Sequence, residues 1–182
     1  MKIFITIIII VVALAALLFI IGLFTRKDYT VQREIIINKP TSEIFNYLKF
    51  LKNHDNFNKW LKTDPNMKKS FTGLDGTVGF VYAYNGNKDV GSGELKITGL
   101  KENESINIQL HFISPFESVN NSPYTLQAVS ENQTKVKWTM EGTFNYPKNI
   151  ALLFLNIDKF LGKDVQLSLE NLKAELETPS KN

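Results

Sequence analysis

Few residues in this 182-residue chain have the types and spacing that chemistry needs. A hydrolytic triad requires a nucleophile, a base and an orienting acid. The histidines are His54 and His111, and there is no cysteine, which removes thiolate nucleophiles, disulfides and cysteine-ligated zinc or iron–sulfur sites. His111 alternates with Asn107 and Gln109, so it belongs to the wet face of a strand. His54 sits in LKNHDNFNKW, where the flanking Asn and Asp read as a loop or helix end. Two histidines on separate elements, with no carboxylate at ligand spacing, make no metal site. Glu94, Glu141, Asp164 and Glu170 form no glycosidase-like pair: Glu141 alternates outward, and the last two fit the solvated side of a helix. Gly73, Gly76 and Gly79 lie between strands instead of opening a helix, so they turn the chain and cradle no phosphate. No catalytic residue, metal or cofactor is assigned from sequence.

What remains is a set of aromatic groups with polar tips, Tyr82, Tyr84, Tyr124 and Trp138. Such groups suit either ordinary core packing or an apolar pocket with a few hydrogen-bond donors. The pocket reading names Phe80, Tyr82, Tyr84, Leu110, Phe112, Tyr124, Leu126, Trp138, Met140, Phe154, Ile157 and Leu161 as the cavity-lining candidates.

Three kinds of element must position them. The first is the uncharged run Ile3 to Phe24, IFITIIIIVVALAALLFIIGLF, with Thr6 as its one polar side chain. At about 1.5 Å per residue it covers the roughly 30 Å hydrocarbon thickness of a bilayer, and Thr6 can bond back to a carbonyl one turn earlier. A cleaved signal peptide has a shorter apolar stretch and a polar mature start; here Leu18, Phe19, Ile20 and Ile21 follow the only A-x-A, Ala13 to Ala15. Residues 1–27 are therefore read as a single-pass membrane anchor. Arg26 and Lys27 outnumber Lys2 on the other side, which puts the soluble domain in the cytoplasm.

The second is a domain over residues 28–177. Tyr29 to Asn38 is a strand ended by Lys39-Pro40. Ile44, Phe45, Leu48 and Leu51 follow at helical spacing, with Thr41 or Ser42 as the cap. A turn-like piece carries Phe57, Trp60 and Leu61. From Lys68 to Tyr146 the period becomes two, giving six further strands near 68–72, 77–85, 90–100, 105–113, 122–130 and 135–145. Ile106, Ile108, Leu110 and Phe112 share one face of their strand, and Val136, Trp138, Met140 and Phe144 one face of theirs. Phe80, Tyr82 and Tyr84, and Tyr124, Leu126 and Ala128, extend the apolar face. An open sheet with so many large apolar groups needs a cover. The third element supplies it, a helix over Ile150 to Leu176 of about 27 residues and roughly 40 Å, with Gly162 marking a bend or a close approach. Residues 178–182 read as a polar tail. The net charge of +3 is spread thinly along the chain, so nucleic acid is excluded as a partner.

The order strand, two short helices, six strands and a long helix resembles the START-like (SRPBCC) superfamily, in its polyketide cyclase/dehydrase-like branch. The residues that carry the resemblance begin with Ile35 to Phe45 (IIINKPTSEIF), Trp60 with Asp64-Pro65, Gly73, Gly76 and Gly79, and Gly86-Asn87 with Val90-Gly91-Ser92-Gly93. They continue through Leu110-His111-Phe112 with Pro115-Phe116, Thr134 to Trp138, Gly142, and Leu161-Gly162-Lys163-Asp164 with Leu169 to Lys173. The resemblance implies an α+β helix-grip fold. A curved seven-stranded antiparallel sheet wraps the terminal helix around a tunnel for lipids, polyketides or other hydrophobic molecules. Tyr84 stands where the branch often has tryptophan, which changes the chemistry of any shared pocket.

Since one fold hosts enzymes, carriers and regulators, three functions remain. The leading expectation is a membrane-tethered domain that binds or carries a hydrophobic small molecule. A cyclase or dehydratase would need a buried ionisable group at the cavity. A membrane-bound interaction or stress module would have a packed interior and an exposed apolar patch.

Overall fold

The first helix, α1 (Lys2–Phe24), is apolar on every side, and apart from its last turns its side chains stand clear of the rest of the chain in the computed structural model, which describes residues 1–178. A helix hydrophobic all round needs an apolar surrounding. Thr6 Oγ1 donates to the Lys2 carbonyl at 3.0 Å, so the run's one polar side chain is satisfied within the helix.

The domain that follows is a single antiparallel sheet with helices packed against it. Strand β1 (Asp28–Ile37) pairs over its full length with β8 (Gln133–Thr143), Asp28 facing Thr143 and Ile37 facing Thr134. The other strands are β2 (Lys68–Thr72), β3 (Val81–Asn85), β4 (Ser92–Lys101), β5 (Ser105–Ser114), β6 (Ser118–Asn121) and β7 (Tyr124–Ser130). The sheet runs β1-β8-β6-β5-β4-β3-β2, with β7 also paired to β5 and β8.

Sequence reading gives seven strands and the sheet has eight segments, the addition being polar Ser118–Asn121. Both β6 and β7 keep one continuous register against β5 and against β8. They are one strand interrupted at Ser122-Pro123, where proline has no N–H to give the ladder. The Ser122 N–H still reaches the Ile108 carbonyl at 2.7 Å, and the Thr139 N–H reaches the Pro123 carbonyl at 3.0 Å, which carries the pairing across the gap.

Between β1 and β2 lie α2 (Thr41–Leu48), a 3₁₀ turn (Leu51–Asn56) and α3 (Lys59–Thr63). Helix α2 buries Ile44, Phe45 and Leu48. The expected Thr41 or Ser42 cap does not form: Pro40 takes the cap position, and the Thr41 hydroxyl bonds that of Thr134 at 3.0 Å. The C-terminal segment is shorter than the 27-residue helix expected. It divides into a 3₁₀ turn (Lys148–Leu153) and α4 (Ile157–Glu177) because the Asn156 side chain caps the latter, accepting from the Lys159 N–H at 2.9 Å. Helix α4 is unbroken at Gly162. That glycine is a point of close approach, where the Arg33 guanidinium of β1 lies over the helix in the space a side chain would fill. That guanidinium grips Asp158 in a bidentate pair at 2.8 and 3.0 Å. The tail expected at 178–182 lies outside the described residues except Thr178, whose N–H donates to the Ala174 carbonyl.

Candidate ligand cavity

The buried face of α4 changes character along its length. Val165, Leu169, Leu172 and Leu176 are packed into the core with α2 and the far ends of β1 and β8, where Ile37, Ile44, Leu48 and Val136 have no exposed surface. Ile157, Phe160 and Leu161 instead border a cavity of about 440 Å³. That volume lies within the roughly 300 to 1,000 Å³ of small-molecule sites.

Its wall is aromatic and mostly apolar. Trp138 stacks on Tyr124 at 4.9 Å between ring centroids and meets Trp60 edge-on at 6.1 Å. The Trp138 indole N–H donates to Ser122 Oγ at 2.8 Å, so the interrupted strand fixes the ring's orientation. Tyr29 and Phe144 pair across the β1/β8 ladder at 5.4 Å, and Gly142 beside them leaves the space that the Tyr29 hydroxyl and Asn120 occupy. Gly93 does the same for the Tyr84 hydroxyl. Burial pushes the Tyr84 phenol up to about 12, so it is a neutral donor throughout the physiological range.

Two polar groups in this wall are unusual. Tyr124 is fully buried, its hydroxyl has no hydrogen-bond partner among the described residues, and burial holds its pKa well above the ordinary tyrosine value. An unmet buried hydroxyl costs free energy. Beside it, edge-on at 5.6 Å, is His54, 1% exposed and also cavity-lining. His54 Nε2 lies 2.8 Å from the Leu48 carbonyl. A carbonyl only accepts, so Nε2 carries the proton and Nδ1 keeps a lone pair. Burial lowers the imidazole pKa to about 4, against smaller opposing effects of the Leu48 bond and of Asp75 and Asp55, and keeps it neutral at pH 7.

Eight of the twelve residues picked from sequence line the cavity: Tyr84, Leu110, Phe112, Tyr124, Trp138, Met140, Ile157 and Leu161. Four do not. Phe80 is packed in the core, stacked on Phe71 at 6.3 Å. Tyr82 is buried with its hydroxyl 2.5 Å from Asp55, which Lys69 also binds at 2.9 Å. Leu126 belongs to the packed end of the sheet, and its neighbour Ala128 is exposed. Phe154, on the linker before α4, is 72% exposed. Alternation tells which face a side chain joins, and says nothing of which end of that face is filled.

Sequence reasoning missed Tyr29, Trp60, Asn120 and, above all, His54. His54 does stand at a helix end, in the last turn of the 3₁₀ segment, but on its inner side, because Leu51, His54 and Phe57 recur at intervals of three and share one buried edge. That spacing was the available signal. His111 is on the outer face as expected, with Nε2 3.3 Å from Glu117. Glu94, Glu141, Asp164 and Glu170 are all outside the cavity lining, and Asp164 pairs with Lys59 at 3.0 Å. Among the described residues, no group of three or more His, Asp or Glu is placed to hold a metal ion.

An antiparallel sheet closed by a long C-terminal helix over such a space defines the helix-grip fold. Solved structures bear this out. Norcoclaurine synthase from Thalictrum flavum, in complex with dopamine and hydroxybenzaldehyde, aligns with a TM-score of 0.63 at 13% identity, covering 89% of this chain and 94% of its own. The Aha1 dimer from Colwellia psychrerythraea gives 0.57 at 18% identity over 84% and 98%. Ara h 8.0201 gives 0.55 at 12% over 81% and 97%. At these identities the likeness is one of fold. No protein-family model and no curated protein matches the sequence.

Proposed function

We propose that the chain is a membrane-tethered binding or carrier domain for a hydrophobic small molecule, lipid-like or polyketide-like, held in the cavity between α4 and the sheet. The observation that carries this reading is the cavity of about 440 Å³ whose wall is apolar and aromatic, with one buried hydroxyl, on Tyr124, left without a partner. A ligand with a mostly apolar body and a single acceptor would satisfy both features. The α1 run is long and apolar enough to cross a bilayer, and Arg26 and Lys27 beyond it favour a cytoplasmic domain. Tethering keeps the domain beside bilayer-dissolved molecules. The third possibility, an interaction module with a packed interior, fits a cavity of this size poorly.

Full-length chain, released from its bilayer in mild detergent and measured by native mass spectrometry, is expected to carry a discrete small-molecule adduct that denaturation frees. A chain that arrives bare, and stays bare after incubation with a total lipid extract, overturns the reading.

A second reading has one specific observation in its favour. A neutral imidazole, His54, beside the Tyr124 hydroxyl at an apolar cavity is a base and donor of the kind a cyclase or dehydratase would use. Turnover of a polyketone probe, lost in His54→Gln, would favour it over simple binding.

A further inference from the structure

The cavity's mouth and the anchor's exit are joined by one short stretch of chain. At the exit, the last turn of α1 is closed by Thr25, whose N–H donates to the Gly22 carbonyl at 3.4 Å and whose hydroxyl donates to the Ile21 carbonyl at 3.0 Å. Fully buried Asn149 adds the tie to the domain: its Nδ2 donates to the Gly22 carbonyl at 2.7 Å and to the Thr25 carbonyl at 3.1 Å. Gly22 is the one buried residue of α1, and any side chain there would run into Ile150. The Phe19 ring meets Tyr146 edge-on at 6.4 Å. Helix and domain are thus docked at 146–150, which fixes how the domain sits on its anchor.

From that joint an apolar surface continues to the cavity. Leu153, Phe154 and Leu155 are 45%, 72% and 55% exposed. Phe160, in the first turn of α4, is 76% exposed, and Phe116, on the turn after β5, is 74% exposed. These last two also border the cavity. Water is a poor surrounding for four or five large apolar side chains in one collar. The remote end of the domain, the β7/β8 hairpin, lies about 30 Å along the strands from the Asp28 end.

We propose that this collar is a membrane-docking surface: Phe116, Phe154, Leu155 and Phe160 insert into the interface of the bilayer that α1 spans, so the cavity opens into lipid and not into water. The proposal rests on the tethered-carrier reading and adds the route by which a ligand enters. Lipid is favoured over a protein partner because the collar is continuous with the span itself. Arg26, Lys27 and Lys148 at the joint are placed to meet phosphate headgroups; of the nearby carboxylates, Asp158 and Asp164 are paired with Arg33 and Lys59, Asp28 accepts from the Thr143 hydroxyl, and Glu117 beside Phe116 lies 3.3 Å from His111.

The absence of cysteine makes a direct test available. Single-cysteine full-length chains (Phe116→Cys, Phe154→Cys, Phe160→Cys, with Leu74→Cys and Val129→Cys as exposed positions away from the collar) are labelled with a polarity-sensitive fluorophore. They are reconstituted in phosphatidylcholine and phosphatidylglycerol vesicles containing lipids spin-labelled near the headgroup. The three collar positions are expected to shift to the blue and to be quenched, by several-fold more than positions 74 and 129. Equal, water-like emission at all five overturns the proposal. So does a collar shift that disappears as protein is diluted at fixed lipid, which would mark a second copy as the occupant. Quenching at the collar in a chain that retains no small molecule would uphold the docking surface and sink the carrier reading. A chain that retains a small molecule while its collar stays aqueous does the reverse.

Discussion

The two halves of the sheet's inner face are built from the same residue types and differ in what α4 does above them. At one end Val136 and Ile106 meet Leu169, Leu172 and the underside of α2, with no exposed surface left. At the other end Trp138, Met140, Leu110 and Phe112 face Ile157 and Leu161 across open space. The packed half holds the fold together and releases the open half from that task. A cavity of this size could not persist if the whole face had to supply stability, since each buried aliphatic side chain contributes about 1.5 to 3 kcal/mol.

The largest expected effect tests that division directly. Leu172→Ala in the packed half should cost about 2 to 5 kcal/mol of unfolding free energy, while Met140→Ala at the cavity should cost well under half of that, because its neighbours already lack a partner on one side. Denaturant titration of both variants reads the contrast. Equal losses would mean that the two halves are packed alike.

Next in size is an acid effect located at the boundary between the halves. His54 binds its proton less readily in the folded chain, at about 4, than at its ordinary 6.5. The unfolded state therefore takes up more protons between those values, and stability is full above pH 6.5 and falls as the pH drops towards 4. The loss is about 3 kcal/mol, levelling off below. His54→Gln, which keeps a donor for the Leu48 carbonyl, should flatten thermal stability across that window. An unchanged slope would assign the acid sensitivity elsewhere.

Smaller again is Gly142→Ala. Its methyl would displace the Tyr29 hydroxyl and Asn120, at about 1 to 3 kcal/mol, and push the ring of Tyr29 toward the cavity. Retention of a fluorescent fatty acid should weaken more than stability does; unchanged retention would place the ligand away from this wall. Least of all is Tyr124→Phe. Removing an unpartnered buried hydroxyl should leave the empty chain as stable or up to about 1 kcal/mol more so, while ligand affinity drops by a similar amount. A clear destabilisation of the empty chain would show that the hydroxyl has a partner after all.

Much of this architecture could be read from residues alone. Strict alternation in Ile106 to Phe112 and Val136 to Met140 set the inward face, because a strand offers only two sides. The three-and-four spacing from Ile150 to Leu176 identified the cover, though its first residues form a separate 3₁₀ turn. Proline chemistry hid the eighth segment: Ser118–Asn121 is polar and short, and its strand character comes from pairing with β5. The cavity was half legible for a related reason. Phe80, Tyr82 and Leu126 share the inward face with Trp138, but which end of that face is filled and which is open depends on how α2 and α4 meet the sheet. The polar neighbours of His54 concealed a period of three, which a search for helical or strand spacing passes over.

Arg33 and Gly162 close the gap between β1 and α4 by sharing a single volume, the guanidinium occupying what a methyl group would take. The constraint falls on position 162. Descendants of this sequence that acquire a side chain at 162 must swing the guanidinium aside or shorten residue 33, and either change releases Asp158 from its bidentate partner.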